Sequence, residues 1–347
     1  MKDVTQGKAI GNIFFKKHKV WRIVFITSAL SIIYTVFASN MPNSPELIRQ
    51  LGIQQQDLVK LNQGDIVFFD VESSGERELT TGAALYLPAQ PEKVINFIKK
   101  EDLVSQDNAD NGAGSIPLEA TEEALKSFGF KAKSDDAEDF LAATPGTQFN
   151  LSPQEFQVLR AANAKEPDAA SKVYRNFLWQ RWQSYRKKGL KGIAVYDRGD
   201  GEEASPGREL QIASLESKVL THYFPELFKA WLNYPDRLPV GVEEAFFWSN
   251  REVQGKATAI LNHRVIFTEN AGELILARQF YVGRSFNSNQ LIIACLPYRK
   301  GTLVFYSNRT FTDQVAGFGS GLKHLIGDSQ ARSEISNLLE NLRNALK

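Results

Sequence analysis

From position 242 onward the chain reads as five strand-length segments joined by short turns, and this pattern constrains the fold more than any other. The segments 244–253, 257–268, 274–285, 290–296 and 302–310 are rich in β-branched and aromatic residues. The breaks carry turn chemistry: Gln254-Gly255, Glu269-Asn270-Ala271-Gly272, Phe286-Asn287-Ser288-Asn289 and Tyr298-Arg299-Lys300-Gly301. Connections this short leave no room for a crossover, so neighbouring strands must run antiparallel and form a meander. Asp328 is then expected to cap a last helix over 328–346, with Ile335, Leu338, Leu339, Leu342 and Leu346 on one stripe. Such a stripe needs a surface to lie on, and the meander is the obvious one.

Upstream, helices and strands mix. The stretch 44–61 predicts a helical lead-in, and 65–72 and 80–87 predict two strands. Pro91 is placed to open a helix through Lys100, with Val94, Phe97 and Ile98 on one side. The Asp-, Asn- and Gly-rich 105–116 reads as a mobile loop, and a helix over 118–128 is expected to stop at Gly129. Ser152-Pro153-Gln154-Glu155 is a capping box that opens a helix to about Ala162. A longer helix covers 172–188, a short strand 194–196, a loop 197–208, and a helical stretch 215–232 breaks near Pro225. The class is α+β: an antiparallel meander packed against a long C-terminal helix. One domain spans 64–346 with a helical insertion at about 118–200, after a linker at 39–63.

The order resembles the helix-grip (START-like) superfamily. The residues that carry the resemblance are the strand-to-helix passage 84–100 (Leu85-Tyr86-Leu87-Pro88-Ala89-Gln90-Pro91-Glu92-Lys93-Val94), the meander, and the helix 328–346. The resemblance implies a curved sheet wrapping the C-terminal helix around a cavity, and binding of an apolar small molecule or lipid there.

The N-terminal region sets the expected location. Residues 1–22 hold six Lys/Arg and one acid, and sixteen residues without a charge follow, 23–38. Basic flank, apolar stretch and polar 39–45 are the export signature. The stretch is either a cleaved signal peptide, with Val36 and Ala38 at the specificity positions, or a retained single-pass anchor that starts at Val20 with Arg22 snorkelling. Either way the body is expected outside the cytoplasm: membrane-tethered, or periplasmic or secreted after cleavage. Residues 41–347 carry 35 Lys/Arg against 39 Asp/Glu, a net of −4, which argues against a nucleic-acid partner. The one cysteine, Cys295, lies in an apolar run and reads as a core residue.

No catalytic motif stands out, and no cofactor or metal is expected. His222, His263 and His324 are far apart in sequence, without metal-ligand spacing. The candidate ligand-binding residues are His263, Arg309, Asp313 and His324. Asn308 to Gln314 is the densest polar run, and it is read first as structural ion pairing and amide satisfaction. The glycine cluster 317–321 is read as a hinge rather than an anion loop. Trp179, Trp182, Tyr185 and Arg186 are candidate membrane-interface residues, but aromatics at this helical spacing are read first as core contacts with cationic stems covering them.

Three functions follow. The first is a non-enzymatic envelope protein that binds an apolar small molecule, a lipid or a protein partner, and it predicts an apolar cavity between the meander and the last helix. The second is a hydrolase that uses His263 or His324 with Asp313 in one cleft. The third is an interaction module that docks a partner on 118–200.

Overall fold

The computed structural model describes residues 41–101, 112–131, 135–162, 168–269, 271–317 and 320–346. The expected export segment and most of the loop 105–116 lie outside the described residues, as do two positions of the glycine cluster. The chain enters with α1 (Ser44–Gln50), α2 (Gln55–Gln63), β1 (Val67–Phe69), β2 (Glu78–Leu87) and α3 (Pro91–Glu101). A short β3 (Ala113–Ser115) precedes α4 (Asp135–Leu141), α5 (Pro153–Ala161) and α6 (Ala169–Lys188). The hairpin β4 (Tyr196–Gly199) and β5 (Glu202–Ala204) leads to α7 (Pro206–Leu215), α8 (Lys218–Tyr223) and α9 (Pro225–Leu232). Then come β6 (Glu243–Val253), β7 (Lys256–Glu269), β8 (Gly272–Val282), β9 (Ser288–Tyr298), β10 (Gly301–Phe311) and α10 (Ser320–Leu346).

The fold is α+β, and the expected meander is its centre. One antiparallel sheet runs β1-β2-β10-β9-β8-β7-β6-β3. Its hairpins turn where turn chemistry was read. Gln254 and Gly255 both have left-handed φ, 53° and 73°, as a two-residue turn matched to strand twist requires. Both edge strands are three residues long, which leaves little open edge for another chain to pair with.

Side chains alternate between two covered faces. On one face Ile293, Cys295 and Val304 pack against α3 (Val94, Ile98) and α10 (Ile335, Leu339, Leu342, Leu346). The other face carries two apolar clusters. One joins Ile292, Ala294 and Phe305 to α1, α2, α8 and α9. The second joins Leu261 and Tyr281 to α4, α5, α6 and α7, so the helices of the expected insertion form part of a layer on the sheet. Between the two clusters runs a polar row. Strand register sets His263 opposite Arg278, Arg278 opposite Gln290 and Gln290 opposite Arg309, and directly opposed residues share a face.

Three expectations are corrected. The helix over 118–128 is one 3-10 turn, Glu122–Leu125; Thr121 makes no side-chain cap, and Leu125 and Phe128 are buried at the three-residue spacing such a turn serves. The loop over 197–208 holds a hairpin turning at Gly199 to Gly201, all with positive φ, and the start of α7 with Pro206 in its first turn. Asp328 caps nothing: α10 begins at Ser320, and Gly327 lets it approach Leu79, whose Cδ1 would sit 2.9 Å from an added Cβ. The cavity expected under that helix matches neither of the two clefts described below; there the apolar side chains named above pack against one another.

Candidate functional site

The polar row becomes a site where α6, α7 and α9 cross it. His263 is 0% exposed, with Phe246 stacked at 4.3 Å and the rings of Tyr234 and Trp231 at 4.6 and 4.9 Å. Burial drives its pKa down to about 4, with Arg278 and Arg186 adding to the shift and Glu244 opposing it, so the imidazole is neutral. Its Nδ1 lies 2.8 Å from the Tyr185 hydroxyl. Its Nε2 stands 3.1 Å from Glu244 Oε1, in a geometry short of a well-directed hydrogen bond. A carboxylate on that side places the ring proton on Nε2, so Tyr185 O–H donates to Nδ1.

Arg278 continues the chain inward. It is 0% exposed, and its Nη1 donates to Trp231 O at 2.9 Å and, at 3.4 Å, to the Tyr185 oxygen, while Nη2 donates to Ser214 Oγ at 3.0 Å. None of these partners is a carboxylate, and an uncompensated buried cation costs several kcal/mol. The compensation comes from helix ends. Trp231 lies in the last turn of α9 and Ser214 in that of α7, where unpaired carbonyls gather negative partial charge. The Trp231 ring lies 4.0 Å from the guanidinium. Gln290 completes the cluster by accepting from Ser214 Oγ at 2.7 Å and Trp231 Nε1 at 3.2 Å.

Outward, the chain ends at a cleft of about 510 Å³, where Glu244, Tyr234 and Arg186 meet Arg237, Leu238 and Val242. Arg186 Nη1 donates to the Tyr234 oxygen at 2.9 Å and lies 3.7 Å from Glu244. Burial works against the Glu244 charge, but His263, Tyr234 and Arg186 outweigh it and hold the carboxyl below its ordinary pKa. A smaller cleft, about 200 Å³, lies beside Gln254, Lys256 and Arg284.

No family, curated protein or solved structure matches this chain.

The four expected ligand-binding residues divide. His263 belongs to the site just described. The others converge on three consecutive residues that lead into β2: His324 Nε2 lies 2.7 Å from Glu76 O, Asp313 3.3 Å from Arg77, and Arg309 Nη1 2.7 Å from Glu78. Asp313 also accepts from Arg198 Nε at 2.8 Å. Structural ion pairing accounts for this group, and Asp313 is a partner of neither histidine. The membrane-interface candidates follow the core packing read first for them: Trp182 and Tyr185 are buried against Phe246, and Trp179 and Arg186 are half-buried. Core packing won because the aromatics sit at the spacing that meets the sheet.

Glu244, Tyr234, Arg278, Gln290 and Ser214 were not singled out from sequence. One signal was present: Arg278 is the lone charge in the apolar run 274–282. Among the described residues, no group of three or more His, Cys, Asp or Glu is placed to hold a metal ion. No described helix is long and apolar enough to cross a membrane.

Proposed function

We propose that this chain is a membrane-tethered, non-catalytic binding protein of the cell envelope, receiving a small ligand in the cleft above Glu244. The observation that carries the reading is the order of groups. In a carboxylate–histidine catalytic pair the imidazole faces the substrate and the carboxylate orients it from behind. Here Glu244 lines the cleft and His263 is sealed behind it. Neutral, desolvated and boxed by aromatic rings, His263 has no path to a substrate, and it acts by fixing the carboxylate. The basic-then-apolar segment before residue 39 supports the tether. The element order that resembles the helix-grip superfamily supports binding, with the receiving place moved from beneath the last helix to the sheet end.

The test is native mass spectrometry of the full chain, extracted from membranes in mild detergent, beside its Glu244→Gln and Arg186→Met variants. A small molecule retained by the native chain and lost from both variants is the expected result. Equal retention by all three, or none by any, overturns the reading.

A further inference from the structure

We infer that the end of the sheet carrying the loop 237–242 lies against an anionic lipid bilayer, with the apolar tip of that loop in the headgroup region; the inference rests on the tether reading above. Three observations meet at this end.

The first is where the chain enters the domain. Met41 follows the last residue of the apolar stretch, Ala38, by three positions. Its backbone N–H donates to Glu269 at 3.3 Å, and its side chain lies against Gly272, so entry is at the β7–β8 turn. Ser44 Oγ donates to Pro297 O at 2.7 Å, beside the β9–β10 turn. Three residues span at most about 11 Å, so an anchor ending at Ala38 holds this end close to the bilayer.

The second is what else sits there. Glu243, the first residue of β6, lies opposite Ile266, three residues from Glu269 and therefore about 10 Å along the strand. The loop Arg237-Leu238-Pro239-Val240-Gly241-Val242 runs directly into it. Val240 is 89% exposed, the most exposed of the large apolar side chains described. A loop rich in proline and valine that presents a bare valine at a sheet end suits insertion among headgroups.

The third is charge. The α6 helix runs toward this end: its early Tyr174 packs near Tyr281, its late Tyr185 meets His263, and Arg186 reaches Glu244. Beyond Tyr185 come Lys187, Lys188 and Lys191, all exposed, with no acid between them. Arg237, Arg299 and Lys300 are exposed as well. None of these six has an ion-pair partner among the described residues. Of the acids at this end, Glu243 is engaged by Lys99, Glu269 by the Met41 amide and Glu244 by Arg186, which leaves Asp236 on the loop and Glu119, next to the cleft residue Leu118, as exposed counter-charges to six cations. An unpaired positive cluster at one end of a body with net charge −4 suits an anionic surface.

The experiment uses the full chain reconstituted in vesicles of phosphatidylcholine and phosphatidylglycerol that contain a nitroxide-labelled lipid. Single cysteines at Ser31→Cys, Val240→Cys and Gln254→Cys carry an environment-sensitive fluorophore. Native Cys295 is buried with its thiol pKa pushed up, so it does not compete for label. Gln254 marks the opposite end of the sheet, at the β6–β7 turn. Quenching at 31 and 240 but not at 254 is the expected result. Quenching at 240 should fall in Arg237→Glu/Arg299→Glu/Lys300→Glu and at high salt. Quenching at 31 with residue 240 as aqueous as 254 overturns this proposal and leaves the tether standing. Absence of quenching at 31 overturns both.

Discussion

His263 is neutral because its surroundings reject a charge, and that has a measurable consequence. Its folded pKa, about 4, lies below the unfolded value of 6.5. The unfolded chain therefore takes up a proton first as pH falls. The contribution of the residue is complete above pH 6.5, shrinks between 6.5 and 4, and is lost below. The gap corresponds to about 3 kcal/mol. Glu209 and Glu273, raised by burial, act in the opposite direction, so the comparison must be differential. Urea unfolding at pH 7 and pH 4 should show that His263→Gln loses less stability on acidification than the native chain. Equal losses would remove His263 from the account. Arg278 makes a second case. Arg278→Met removes a buried cation but leaves the Trp231 carbonyl and the Ser214 oxygen without their guanidinium donor, and it should cost about 1–3 kcal/mol by the same assay. It should also narrow the acid-sensitive window from its lower edge, because a charge that opposes His263 protonation in the folded state has gone while the unfolded value stays at 6.5.

At the scale of elements, the meander was legible because three independent signals agreed: alternation, β-branched content and turn residues. Even the polar row was within reach. Counting back from the turns Glu269–Gly272 and Tyr298–Gly301 sets His263 opposite Arg278 and Gln290 opposite Arg309, as the structure has them. The helices that complete the site were harder. Ser214 reaches Arg278 across 64 residues and Tyr185 reaches His263 across 78, and no local pattern encodes those distances. The onset of α7 was hidden by the glycines and acids before Pro206, and that of α10 by a plausible cap at Asp328 inside it. The α10 stripe gives a direct test of packing. Leu339, buried against the sheet, should cost about 2–5 kcal/mol as Leu339→Ala. Leu325, 66% exposed on the same helix, should stay within about 0.5 kcal/mol as Leu325→Ala. Similar costs at the two positions in chemical denaturation would contradict the orientation of the helix.

For the whole molecule, the question is whether the site is one unit or several neighbouring contacts. Its members come from three helices of the layer, Tyr185 from α6, Ser214 from α7 and Trp231 from α9, with Glu244, His263, Arg278 and Gln290 from four adjacent strands. Each donor points the same way. Arg278 donates to Tyr185, Tyr185 to His263, and the remaining His263 proton faces Glu244, so the charge on the cleft carboxylate is supported by a guanidinium two groups behind it. Tyr185→Phe breaks the middle of this line and should cost about 1–3 kcal/mol, because Nδ1 of His263 is left without a donor. Glu244→Gln weakens its outer end. Tyr185 and Glu244 each meet His263 on opposite sides of its ring, so independent contacts would give additive losses. A single polarised chain gives a coupling energy of about 0.5–3 kcal/mol in a double-mutant cycle. The cycle should be run at pH 7, where His263 is neutral and Glu244 ionised. Additivity within about 0.5 kcal/mol would mean that the cleft and the core polar row are separate structures that happen to adjoin.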